Sequence, residues 1–96
     1  VPSYRVRMVL GDLHAGVDPA DVLPAAVGAA RGRTAVEAGQ VDVRQGQAMV
    51  TVRFEAPDDL EASSVGRAVV THVDTMVVVE TSRVMRRAGA RWYPLR

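Results

Sequence analysis

The sequence predicts an α+β fold: a four-stranded antiparallel sheet with two helices on one face, extended at its C-terminal end by a further strand or hairpin. Two observations carry this. The order strand, helix, strand occurs twice, from Tyr4 to Val52 and again from Met49 to Val79. Within the strand segments apolar and polar residues alternate with period two, which gives the sheet one face to bury. At 96 residues a single domain is expected, residues 4–80 forming the core and 81–96 an Arg-rich extension. That length closes one core and leaves no room for a separate catalytic domain.

The first strand is Tyr4 to Leu10, with Tyr4, Val6, Met8 and Leu10 on one side and Arg5, Arg7 and Val9 on the other. After a loop containing His14, Asp18-Pro19-Ala20-Asp21 opens a helix: Asp18 can cap, Pro19 tolerates the first helical position, and Asp21 suits the positive end of the dipole. Pro24 implies either a distorted first turn or a later start, and Gly32 a stop. The buried stripe of this helix is either Leu23, Val27 and Ala30 or Val22, Ala26 and Ala30. Val36 to Arg44 and Ala48 to Glu55 alternate around Gln45-Gly46, which makes a hairpin. Asp58, Asp59 and Glu61 repeat the acidic helix opening. Leu60, Val65, Ala68, Val69, His72 and Val73 then trace one side of a helix that ends near Asp74 and is weakened at Gly66 by about 1 kcal/mol relative to Ala. The fourth strand begins at Met76. If it continues to Arg87 it reaches about 40 Å at ~3.3 Å per residue, so it overhangs the sheet. Either the returning segment Ala90 to Leu95 or a strand of a second copy must pair with the overhang.

The order βαββαβ over residues 4–80 resembles the ferredoxin-like fold, which hosts metal chaperones, amino-acid sensors, RNA binders, small enzymes and assembly modules. A metal chaperone would need a Cys pair where this chain has Gly11-Asp12-Leu13-His14. An RNA-recognition motif would need stacking aromatics on the central strands, but Phe54 shares the face of Val50 and Val52 and is expected in the core. The loop from Gly11 to Asp18 is only generically similar to the ligand loop of an amino-acid sensor.

Composition excludes more than it selects. The 12 basic residues are all Arg, and Lys, Ile, Asn and Cys are absent; all of these but Cys have AT-rich codons, which points to a GC-rich bacterial genome. Without Cys there are no disulfides, thiolate metal sites or thiol nucleophiles. No run of about 20 apolar residues could span a bilayer and no basic-then-apolar leader opens the sequence, so a cytoplasmic soluble protein without membrane contact is expected. No catalytic, metal or cofactor motif is present. Asp12 and His14 share a loop and can be drawn as a base or a metal site, but Asp18 and Asp21 are already explained by capping.

Charge is polarised along the chain. Up to Ser82 seven arginines face eleven acids, whereas the last fourteen residues hold Arg83, Arg86, Arg87, Arg91 and Arg96 and no acid. With Trp92 and Tyr93 this segment combines guanidinium groups and rings, as a nucleic-acid or other anionic surface does. Arg5, Arg7 and Arg53, on the helix-free face, would extend it. The competing expectation is a charged edge that blocks strand pairing. The same bare face carries Val9 and Met49, and with Val77, Val79 and Met85 these are the candidate interface of a homodimer.

Three functions follow. The first is a non-catalytic homodimeric module for a protein or ligand, an acidic partner being one option. The second is a nucleic-acid or polyanion binder using Arg83, Arg86, Arg87, Arg91 and Trp92 with Arg5, Arg7 and Arg53. The third is a small enzyme of the dimeric α+β barrel type with no candidate groups beyond Asp12 and His14.

Overall fold

The computed structural model describes residues 1–95. Its elements run β1 (Ser3–Leu13), a 3-10 turn (Pro19–Asp21), α1 (Val22–Arg31), β2 (Val36–Arg44), β3 (Gln47–Glu55), α2 (Asp59–Val73), β4 (Val77–Ala88) and β5 (Arg91–Pro94). The strands form one sheet in the order β2-β3-β1-β4-β5, with every neighbouring pair antiparallel. The first four reproduce the expected ferredoxin-like arrangement. The fifth is the expected extension, so the overhang of β4 is paired by the chain's own returning segment.

Local chemistry explains the boundaries. Asp18 accepts the Ala20 N–H at 2.9 Å and opens the 3-10 turn. Pro24 then falls in the first turn of α1, where an amide N–H would have no partner within the helix, so the helix tolerates it. Asp58 caps α2 by accepting the Glu61 N–H at 2.8 Å. The β2–β3 turn places both Gln45 (φ 53°) and Gly46 (φ 77°) in the left-handed region, the pair of conformations that a two-residue hairpin loop demands.

Both helices pack on one face of the sheet, α1 over β2 and β3, α2 over β4 and β1. Tyr4, Val6, Met8, Val50, Val52 and Phe54 point from the sheet into this layer and meet Val22, Ala26, Ala30, Val65, Val69 and Val73, all buried. Of the two stripes open for α1, the one with Val22 and Ala26 is therefore the buried one. In α2, Leu60 and His72 are exposed and do not belong to the core, whereas Ala62 and Gly66 do. Gly66 is more than a weak helix residue: a Cβ there would run into the Val84 methyl on β4, so its absence lets α2 settle against the sheet.

One placement departs from expectation. Val77 and Val79 do not lie on the bare face. Val77 is buried in the core and Val79, paired with Leu10, packs against it, because the register shifts between Val9 and Leu13 rotate this end of β4 relative to a straight period-two reading.

Candidate functional site

The helix-free front of the sheet is built by the residues that alternate with the core positions. On β1 these are Arg5, Arg7 and Val9; on β3, Met49, Thr51 and Arg53; on β4, Thr81, Arg83, Met85 and Arg87. Backbone pairing sets Arg5 opposite Arg53 on one side and Met85 on the other, Arg7 opposite Thr51 and Arg83, and Val9 opposite Met49. Like charges directly opposite one another across strands are destabilising. Here the register enforces two such pairings, Arg5 with Arg53 and Arg7 with Arg83.

Compensation inside the chain is sparse. Arg53 Nε donates to Glu37 Oε1 at 2.8 Å, and Glu37 Oε2 accepts from Ser3 Oγ at 2.9 Å. Among the described residues, the Nε–H groups of Arg5 and Arg7 are both shut off from solvent and without a hydrogen-bond partner. Arg5 reaches only the Met85 sulfur, at 3.7 Å. Burial first, and then repulsion from Arg7 and Arg53, pushes the Arg5 guanidinium below its ordinary pKa. The group stays charged at any physiological pH, so the shift measures how poorly its charge is satisfied.

Trp92 completes the arrangement. From β5 its ring lies over the Arg5 guanidinium, with 4.6 Å between Cζ and the ring centroid, and over that of Arg53 at 5.5 Å. The electron-rich indole face attracts both cations. Beneath it Arg5, Arg7, Gln40, Thr51, Arg53 and Trp92 line a cavity of about 140 Å³. A shallower groove of about 360 Å³ adjoins it on the front at Arg7, Val9, Arg83 and Met85. Another, of about 410 Å³, lies between α2, β4 and Leu95, lined by Ser63, Arg67, Val70 and Ser82. It holds no desolvated charge, since Arg67 and Arg83 on its rim are exposed, and the front cavity is therefore the stronger candidate.

Not all the expected basic residues converge. Arg83, Arg87 and Trp92 reach the front beside Arg5, Arg7 and Arg53. Arg86, one residue out of phase, lies on the opposite side and pairs with Asp59 at 3.3 Å. Arg87 Nε donates to the Gly89 carbonyl at 2.9 Å, and Arg91 sits at the exposed tip of the hairpin opposite Ala88. A run of charge in a strand is divided between two faces, so the C-terminal cluster is not one patch. Asp12 and His14 lie at the far end of β1, seven or more residues and thus roughly 23 Å from Arg5 along the strand. Both are exposed; the His14 ring meets the Asp74 carbonyl at 2.9 Å. Among the described residues no three potential metal-ligating side chains gather, and no helix is long and apolar enough to cross a membrane.

No family model and no curated protein matches this chain. Among solved structures it is similar to the crystal structure of a protein from Chloroflexus aurantiacus J-10-fl described as a "putative Antibiotic biosynthesis monooxygenase". The two share 11% sequence identity with a TM-score of 0.49, over 93% of this chain and 96% of the other. The description of that protein is of an enzyme, which departs from the non-catalytic assembly module expected from the sequence. The bare front that motivated the module is also partly covered by the chain's own Trp92.

Proposed function

We propose that this protein binds a small organic anion on the front of its sheet and acts on that anion as a small α+β enzyme. The observation that supports the first half is the set of Arg5, Arg7 and Arg53 around one cavity with a single carboxylate, Glu37, paired among them. Three cations so arranged cost stability unless a ligand with negative charge completes them. The second half draws its support from the kind of environment. A charged group perturbed by desolvation and like charge, placed in a cleft, is a recurring feature of active sites.

A homodimer belongs to the same reading. Val9 and Met49, paired across β1 and β3, and the exposed Val78 form the apolar end of the front. A second copy seated there would leave the arginine end open.

The test is a panel of small organic anions, with binding followed by calorimetry and turnover by mass spectrometry of the incubated mixture. Saturable binding that falls with added salt and is lost in Arg5→Gln, together with a new product mass, is the expected result. Binding without any change in the ligand overturns the enzymatic half. A single-chain mass in light scattering overturns the dimer.

A further inference from the structure

We propose that the anion is flat and carries a single ring, an aromatic monocarboxylate, held with its carboxylate on Arg5 and Arg7 and its ring against Trp92. This rests on the anion reading above and adds the shape of the ligand.

Size sets the first limit. A cavity of about 140 Å³ is close to the roughly 150 Å³ that accommodates benzene in an engineered protein cavity. The walls set the second. Three guanidinium planes, the Gln40 amide and the indole of Trp92 are all flat, and the rest of the wall is the small groups of Ala38, Gly39 and Thr51. Guanidinium and indole faces stack on planar partners, so the slot favours a planar ligand over a puckered one of equal charge.

The donors set the third limit. The Nε–H groups of Arg5 and Arg7 are unpaired, whereas Arg53 already spends its Nε on Glu37. A small rotation of either side chain brings an Nε and its neighbouring terminal nitrogen into a fork, which a carboxylate accepts through two parallel bonds. Two guanidinium groups whose Nε–H lacks a partner among the described residues, and one compensated group, suit a single carboxylate. A bound ring would take the place of Arg5 and Arg53 against the indole of Trp92, which would then serve as the stacking wall and so set specificity for a ring.

Trp92 is the only tryptophan of the chain, so its fluorescence reports events at this cavity alone. We would titrate the protein at low salt with benzoate, cyclohexanecarboxylate, inorganic phosphate and a short oligonucleotide, backed by calorimetry. Benzoate should change the Trp92 emission saturably and bind about tenfold more tightly than cyclohexanecarboxylate or phosphate, the range that one stacking contact supplies. In Trp92→Leu, followed by calorimetry, that preference should vanish while carboxylate binding persists; Trp92→Phe should restore part of it. Equal affinity for benzoate and cyclohexanecarboxylate overturns the aromatic carboxylate and leaves the anion reading standing; tighter binding of phosphate or oligonucleotide overturns both. Absence of binding by all four probes to the folded wild type overturns both.

Discussion

Trp92 lies over the Arg5 guanidinium at 4.6 Å although β4 separates their two strands. The C-terminal hairpin must therefore curl across the front of the sheet. That curl converts an open row of arginines into a walled cavity.

Arg5 is held against its own electrostatics, so removing its charge should relieve strain. We expect Arg5→Met, which keeps the length and the apolar stem, to stabilise the protein by up to about 1 kcal/mol, the scale of one opposed like-charge pair. Urea denaturation measures this. Added salt should raise the stability of the wild type more than that of the variant, because screening weakens the repulsion from Arg7 and Arg53. A loss above about 1 kcal/mol would show that Arg5 is structural.

Glu37 is the internal competitor for the ligand at Arg53. Glu37→Gln keeps the shape and removes the charge. We expect anion affinity to rise by about two- to fivefold, since a half-exposed ion pair is worth up to about 1 kcal/mol. Unchanged or weaker binding by calorimetry would place the ligand away from Arg53.

At Gly66 the usual helix ranking should reverse. Ala is the better helix former by about 1 kcal/mol, yet a Cβ here collides with the stiff Val84 side chain. Gly66→Ala should cost about 1 to 3 kcal/mol through overpacking, and Gly66→Ala combined with Val84→Ala should recover part of the loss. Thermal melts of both variants decide this.

The Tyr4 hydroxyl donates to Asp59 Oδ1 at 2.7 Å, and Arg86 approaches the same oxygen at 3.3 Å. Burial, helped by that hydrogen bond and the nearby carboxylates, pushes the Tyr4 pKa up to about 12. The folded state thus holds the phenol proton more tightly than the unfolded state, whose tyrosines titrate near pH 10. Stability from this proton is complete below about pH 10 and is lost as pH rises toward 12. Tyr4→Phe should cost about 1.5 kcal/mol near neutral pH and flatten the decline between pH 10 and 12. A decline of equal steepness in the variant, measured by urea denaturation across that range, would assign it to other groups.

Strand order, hairpin, caps and most of the core were legible because they are periodic or local. Alternation assigned Val6, Met8, Val52 and Phe54 to one face, and acidic N-termini marked both helices. Reading failed where packing breaks the period. The bulged register near Leu10 turned Val77 and Val79 inward, and the close approach at Gly66 has no signature in α2 itself. The anion cavity was half legible. Arg5, Arg7 and Arg53 were assigned to the helix-free face by alternation, and Trp92 was grouped with the basic segment. Alternation also put Thr51 on the face of Arg53, but nothing in the sequence marked Gln40 as its neighbour or showed that the Nε–H groups of Arg5 and Arg7 lack partners.

The sequence by itself determined which residues face the core and which face away, since strand periodicity and capping act over a few neighbours along the chain. Only the tertiary structure decided which of the outward residues meet. Strand pairing brought Arg5, Arg7 and Arg53 together from positions almost fifty residues apart, and hairpin curvature laid Trp92 over them. Alternation sent Arg86 behind the sheet, away from its sequence neighbours. Contact between distant segments depends on register and twist, which sum small contributions over the whole sheet, and no short stretch of sequence encodes that sum.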